Sequence, residues 1–191
     1  VGGCVRDLLR GRTPDDYDIA TSAFPENVAE VFSAYDVIPT GLKHGTVTVV
    51  IDKIPYEITT FRKDGNYPDG RRPEKVEFVD DLKEDLSRRD FTVNAMAYND
   101  DEGLIDPFGG EQDLKNKILR CVGDPEKRFT EDALRILRAA RFCSTLSLTA
   151  EEETARKAIK LAYKLKNVSA ERIFTEINKL LLGENVEIGR A

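Results

Sequence analysis

The feature that most limits how this chain can fold is a change of hydrophobic period near residue 122. Upstream, apolar residues come in short β-branched runs. Val47-Thr48-Val49-Val50-Ile51 and Tyr56-Glu57-Ile58-Thr59-Thr60-Phe61 carry the residue types that suit a pleated, half-buried strand. Asp18-Ile19-Ala20-Thr21 reads as a third, shorter strand, and Asp52-Lys53-Ile54-Pro55 as a hairpin connection outside the tightest turn types. Pro25 to Phe32 reads as a helix, with Pro25 in its first turn and Ser22 as a candidate cap. Lys63 to Glu77 holds Gly65, Pro68, Gly70 and Pro73 among many charges and has no period, which predicts a long loop. From Pro125 onward the spacing becomes helical: Ala133, Leu134, Leu137 and Ala140, then Ala158, Leu161, Ala162 and Leu165, then Ile173, Ile177, Leu180 and Leu181. Thr149 and Ser169 are candidate caps for two of these helices. The expected fold is α+β, a small mixed sheet over residues 1–122 followed by an all-helical region over 123–191.

With 191 residues, the chain can bury one sizeable core, or one domain and the start of another. No run of about 18 apolar residues occurs, and no basic segment followed by an apolar stretch opens the chain. Neither a membrane span nor a secretory signal is therefore read from it. The opening Val1-Gly2-Gly3 stands in mid-motif, so a fragment, or a chain without its first strand, is expected. Cys4, Cys121 and Cys143 are odd in number and widely spaced, with neither a zinc nor a disulfide pattern, which suits a reducing, cytoplasmic setting. The single histidine, His44, excludes any mechanism that needs two and is read as structural. A net charge of −6 argues against unspecific capture of nucleic acid. The clusters Arg71-Arg72, Arg88-Arg89 and Arg135, Arg138 and Arg141 leave room for a local basic groove.

Four groups of residues could carry chemistry. Asp16-Tyr17-Asp18 leads into the first strand, where residues two apart share a face. Such a pair converges on one point, and a divalent cation is the usual neutraliser of two adjacent carboxylates; taken alone, the same triplet is also a solvated turn. Gly2-Gly3-Cys4-Val5-Arg6-Asp7 brings two glycines to the start of a helix, where backbone N–H groups can approach phosphate and Arg6 can pair with it. The alternative is a tight turn with a surface arginine. Glu57 stands in mid-strand, either as an exposed edge residue or, if its strand neighbours that of Asp18, as a third carboxylate. Asp132 and Arg135 are i and i+3 neighbours on a helix, which by itself describes a surface ion pair contributing at most about 1 kcal/mol.

Together these groups resemble one family. The glycine pair through Asp18 looks like the signature of the polymerase-β-type nucleotidyltransferases, more narrowly the class II tRNA nucleotidyltransferases (CCA-adding enzymes) and their bacterial poly(A) polymerase relatives. The resemblance continues in one order through Lys43-His44-Gly45-Thr46, Arg88-Arg89-Asp90-Phe91-Thr92-Val93-Asn94-Ala95, Asp106-Pro107-Phe108-Gly109-Gly110 and Arg128-Phe129-Thr130-Glu131-Asp132-Ala133-Leu134-Arg135-Ile136-Leu137-Arg138-Ala139-Ala140-Arg141-Phe142.

The resemblance implies a polymerase-β-like head over 1–122 and a helical neck with the start of a body over 123–191. It implies two-metal nucleotidyl transfer with Mg²⁺, adding CMP and AMP from CTP and ATP to the tRNA 3′ end. Asp16 and Asp18 would hold the metals, with Glu57 as a supporting carboxylate, and Gly3 and Arg6 would meet the triphosphate. Arg89 would contact ribose or phosphate, with Asp90 assisting. Asn94 is either part of that set or a turn residue. Asp132 and Arg135 would read the base edge that cytosine and adenine share, an amino donor beside a ring-nitrogen acceptor. Arg138 and Arg141 would reach phosphates or orient Asp132, unless they form a solvated helix face. Asp106 with Gly109-Gly110 would be the head–neck hinge. A full loop at 63–77, with Tyr67, Arg71 and Arg72, favours complete CCA addition, while A-only, CC-only and poly(A) synthesis remain alternatives. A non-catalytic RNA-binding module is an alternative of another class. No membrane and no obligate protein partner are expected, and this length of chain is expected to bind nucleotide while engaging tRNA poorly.

Overall fold

In a computed structural model the described residues are 1–65, 67 and 74–183, and they form two compact units. The first gathers residues 1–65, 74–89 and 94–107, and the second gathers residues 67, 90–93 and 108–183. The units follow packing rather than composition: Phe91, Val93, Leu119 and Cys121 are buried in the core of the second. The fold class is α+β, as expected.

The first unit is built on a four-stranded sheet. Strand β1 (Asp18–Thr21) runs parallel to β4 (Ile54–Thr60). β4 is antiparallel to β3 (Thr46–Ile51), and β3 is antiparallel to β2 (Asp36–Gly41). The two-residue period sorts the side chains by face. Val47, Val49 and Ile58 are buried with Val28 of helix α2 (Pro25–Val31), and Phe32, Val37 and Ile51 pack around them. The opposite face is polar. The register sets Thr46 beside Thr59, and Thr48 and Asp18 on either side of Glu57. The Thr46 and Thr59 hydroxyls are 3.0 Å apart, and those of Thr40 and Thr48 2.8 Å. Burying the aliphatic face is what turns the carboxylates outward.

Smaller elements complete this unit. Helix α1 (Gly3–Leu9) buries Cys4 and Val5 against Met96, with Leu104 packed alongside. Helix α3 (Leu82–Ser87) is capped by the Asp81 side chain, which accepts from Lys83 N at 2.8 Å. Strands β5 (Arg62–Asp64) and β6 (Val76–Phe78) pair antiparallel, as do β7 (Ala97–Asn99) and β8 (Gly103–Ile105).

Three local expectations are corrected here. The β3–β4 connection is a two-residue turn, Asp52-Lys53, with φ of 51° and 68°. It belongs to the tight hairpin class after all, without the Asn-Gly or Asp-Gly pair that usually marks it. The stretch expected to be a single loop has paired ends in β5 and β6; Arg71 and Arg72 lie outside the described residues. Helix α2 has Phe24 at its N-cap, a side chain without an acceptor, and so no side-chain cap; Ser22, two residues upstream, has no capping role there.

The second unit contains α4 (Gly110–Lys115), α5 (Pro125–Glu131), α6 (Leu134–Leu146), α7 (Glu152–Leu161) and α8 (Ala170–Leu181), with the two-residue parallel pair β9 (Ile118–Leu119) and β10 (Thr149–Ala150). Phe91 and Phe129 are fully buried in its core, each contributing about 2–3 kcal/mol by burial. Phe91 meets Phe142 edge-on at 5.7 Å. Thr149 lies in β10, and Glu151 is the cap of α7, accepting from Thr154 N at 2.8 Å. Ser169 stands at the N-cap of α8. No helix among the described residues is long and apolar enough to cross a membrane.

Candidate active site

The polar face of the first unit's sheet floors a cavity of about 190 Å³. Asp18, Ala20, Thr46 and Thr59 come from the strands, while Arg62, Asp85, Arg88 and Arg89 come from β5 and the α3 region. Asp85 organises the arginines. It is 1% exposed and accepts from Arg88 Nε at 3.0 Å and Nη2 at 2.8 Å through Oδ1, which also takes the Arg62 backbone N–H at 3.2 Å. Its Oδ2 takes Arg89 Nη2 at 3.4 Å. Asp85 is in α3 while Arg88 and Arg89 follow at its C-terminal end, at i+3 and i+4, so one carboxylate meets both guanidinium groups. Arg88 also reaches Asp64 at 3.6 Å, and Arg62 donates to the carbonyl of His44. A carboxylate this buried persists because it is paired. The cavity thus receives cationic groups whose directions are already fixed.

Helix α1 adjoins this wall. Gly2, its N-cap, has φ of 75°, and its N–H donates to Met96 O at 2.9 Å. The positive φ favours glycine, and a Cβ on Gly2 would stand 2.6 Å from Arg89 Nη1 and push that guanidinium aside. Arg6 donates to both oxygens of Asp7 at 3.0 and 2.8 Å and to Asn94 Oδ1 at 2.6 Å. Arg89 Nη1 reaches Asn94 O at 3.5 Å. Asn94 therefore ties the two arginines together.

Asp18 and Glu57 are register partners across β1 and β4, and Asp16 stands two residues before Asp18. All three are exposed. Their oxygens are the donor set that a hard divalent cation takes. Among the described residues no three His, Cys, Asp or Glu side chains come together as a metal-holding group. The three carboxylates, though Asp18 and Glu57 are on neighbouring strands, therefore do not form the assembled cluster expected from the sequence; like charges repel one another.

In the second unit, the block from Arg128 to Phe142 is not one helix. Asp132 breaks it, with φ of −146° and ψ of 107° between α5 and α6. Its Oδ1 accepts from Leu134 N at 3.0 Å, a local side-chain–backbone bond that competes with helix continuation. The expected Asp132–Arg135 pair on a continuous helix is accordingly corrected. Asp132 meets Arg172, Nη2 to Oδ2 at 2.7 Å, while Arg135 donates to Glu131 Oε2 at 2.6 Å and Arg128 O at 3.2 Å. Arg128 shares the same Glu131 oxygen at 3.1 Å. Arg138 donates to Asp90 Oδ2 through Nε at 2.7 Å, and the Asp90 charge holds its pKa above the ordinary arginine value. Arg141 donates to Glu176 at 2.6 Å and lies 3.9 Å from the Phe142 ring centre. Arg138 and Arg141 are thus engaged inside the unit rather than spread along a solvated face.

A family model described as the poly A polymerase head domain matches residues 1–120, well over half of the chain. The chain belongs to this family. A second model, the "Probable RNA and SrmB- binding site of polymerase A", matches residues 147–189. The CCA-adding enzymes of Anoxybacillus flavithermus and Geobacillus stearothermophilus are each 51% identical over 183 residues, 96% of this chain and 46% and 45% of their own lengths. The chain therefore spans about half the length of these relatives. The solved CCA-adding enzyme of Bacillus stearothermophilus in complex with CTP superposes with a TM-score of 0.90 at 46% identity, over 99% of this chain and 45% of that one. A tRNA nucleotidyltransferase complexed with a primer tRNA and an incoming ATP analog gives 0.81 at 34% identity, over 99% and 54%.

For this member of the poly A polymerase head family, Asp18 and Arg89 line the cavity, Glu57 stands beside Asp18, and Gly3 and Arg6 belong to the adjoining α1. Reasoning from sequence overlooked Asp85 and Arg62, and placed Arg88 only in a basic cluster. The i, i+3, i+4 spacing of Asp85 with the two arginines was the available signal. Arg172 had none, since its partner Asp132 lies 40 residues away, and the contacts of Arg62 with His44 and Asp85 are equally hidden from spacing.

Proposed function

We propose that this chain is the catalytic head and neck of a nucleotidyltransferase that adds CMP and AMP, from CTP and ATP, to the 3′ end of tRNA with release of pyrophosphate. The observation that carries the reading is the pairing of Asp18 with Glu57 on the polar sheet face, beside a cavity that Asp85 lines with oriented arginines. That the relatives are CCA-adding enzymes supports the same reading.

Asp16 and Asp18 would hold divalent ions, Mg²⁺ by the hardness of the oxygen donors, with Glu57 as the supporting carboxylate. When bound, such ions activate the 3′-hydroxyl and screen the triphosphate. The protein's own part is positioning. Arg89 and Arg88, held by Asp85, meet phosphate or ribose. Gly3 and Arg6 bring the start of α1 to the triphosphate, and Asn94 orients Arg6. Asp132 accepts from the exocyclic amino group of cytosine or adenine, and Arg135 donates to the neighbouring ring nitrogen. Uracil and guanine set a carbonyl and an N–H there instead, and each buried mispairing costs about 1–3 kcal/mol. Arg138 and Arg141 brace this region through Asp90 and Glu176. Residues 1–122 act as the head and 123–191 as the neck and start of the body, with Asp106 and Gly109-Gly110 as the hinge, in a cytoplasmic enzyme.

The test supplies the full-length protein with a tRNA lacking its CCA end and labelled CTP, ATP, UTP or GTP. Two C and one A are added and synthesis stops; Asp16→Ala abolishes all three additions. A long A tail on unrelated RNAs would identify a poly(A) polymerase instead, and addition of A alone or C alone would identify the partial enzymes. Binding of RNA without any incorporation would leave only an RNA-binding module.

A further inference from the structure

Asp132 is held by a partner that the proposed function has not used. A carboxylate offers about four lone-pair sites. Oδ1 accepts from Leu134 N at 3.0 Å and from Arg172 Nη1 at 3.4 Å, and Oδ2 accepts from Arg172 Nη2 at 2.7 Å. Two contacts on one oxygen and one on the other leave a single site, on Oδ2. Arg172 belongs to the first turn of α8, and both side chains are largely buried, at 21% and 15% exposure. A fork of this kind fixes the plane of the carboxylate as well as neutralising it.

We infer that Arg172 is a specificity-determining positioning residue: it locks Asp132 so that one acceptor site alone faces the incoming base. The inference rests on the reading in which Asp132 meets the amino group of cytosine or adenine. A carboxylate free to swivel can also accept the ring N–H of uracil or guanine, which stands one position along the same edge. One pinned by Leu134 N and by both arms of Arg172 cannot follow that proton. Discrimination then depends on a residue that touches no nucleotide. Arg172 is not needed merely to seat α8. Arg141 to Glu176 at 2.6 Å and Ser144 to Leu180 O at 3.0 Å already tie α6 to that helix.

The experiment uses the full-length protein and its Arg172→Gln, Arg172→Lys and Asp132→Asn variants, with dissociation constants for CTP, UTP and inorganic tripolyphosphate in the presence of Mg²⁺. Lysine keeps the charge but lacks the fork. Both Arg172 variants are expected to reduce the preference for CTP over UTP by about tenfold, the scale of one misaligned hydrogen bond, while tripolyphosphate affinity stays at the wild-type level. A wild-type CTP:UTP preference in folded Arg172→Lys overturns the inference. So does an equal loss for all three probes, or failure of both Arg172 variants to fold, because each makes the residue a structural tie. Asp132→Asn separates the two levels. If it leaves the preference intact, the base-reading role of Asp132 fails; if it abolishes the preference while Arg172→Lys retains it, only the role of Arg172 fails.

Discussion

Asp18 and Glu57 stand directly opposite each other across the parallel β1–β4 pair, two exposed carboxylates on one sheet face. Like charges in that relation destabilise a sheet, and a divalent cation reverses the sign of the interaction. Glu57→Gln should therefore stabilise the protein slightly in EDTA, by about 0.5 kcal/mol or less given solvent screening. In MgCl₂ the wild type should gain thermal stability and the variant should gain less. Calorimetric melting temperatures in both buffers check this. An identical Mg²⁺-dependent rise in wild type, Glu57→Gln and Asp18→Asn would remove these carboxylates from any metal site.

Asp85 accepts from Arg88, Arg89 and the Arg62 backbone while 1% exposed. Replacing it by Ala leaves two guanidinium groups without their shared counter-charge, a change of about 3 kcal/mol for a buried pair. Urea unfolding should show that loss. Asp85→Asn, closer in shape, should weaken binding of the triphosphate part of CTP more than it alters base preference, because the arginines lose direction. Equal affinity for inorganic tripolyphosphate in wild type and Asp85→Asn would show that the arginines need no such anchor.

The legible parts of this chain were those encoded over short distances. Val47, Val49 and Ile58 alternate as a strand must, and their burial against α2 follows from the period. Asp16-x-Asp18 and the glycines before it stand out as a candidate site because their spacing is local. The β5–β6 pairing was hidden inside a charged, Gly- and Pro-containing stretch, where a long-range partner decides the structure. The break at Asp132 was hidden because no Gly or Pro marks it; one side-chain hydrogen bond to Leu134 N outweighs a helical pattern on both sides. Likewise, Arg138 meets Asp90 and Arg172 meets Asp132 at separations of 48 and 40 residues, distances at which spacing carries no information.

Gly2 joins a positive φ to a close approach, with a hypothetical Cβ 2.6 Å from Arg89 Nη1. Gly2→Ala meets both penalties. The left-handed backbone costs about 1–2 kcal/mol for an L side chain, while the guanidinium, being the end of a flexible chain, swings aside. Stability should fall by that amount, and CTP affinity should fall further than the stability loss explains. Combining Gly2→Ala with Arg89→Ala separates the two effects. The double variant should bind CTP no more weakly than Arg89→Ala alone, and additive losses would show that Gly2 acts on the nucleotide by another route.

Cys121 and Cys143 are buried in the core of the second unit. Burial pushes the Cys121 thiol up to about 12 and the Cys143 thiol to about 11, from an ordinary value of 9.0. A raised folded-state pKa gives stability that is complete below the unfolded pKa and is lost as pH rises toward the folded one. The window therefore opens near pH 9 and extends toward 11 and 12. Within it each thiol lowers stability by at most about 1.4 kcal/mol per pH unit. Neither should react with iodoacetamide at pH 8 in the native protein, since the thiolate is the nucleophile. Cys121→Ala should flatten the fall in unfolding free energy between pH 9 and 11 relative to wild type. Parallel curves for the two proteins, or rapid native-state labelling of Cys121, would mean that this part of the core admits water.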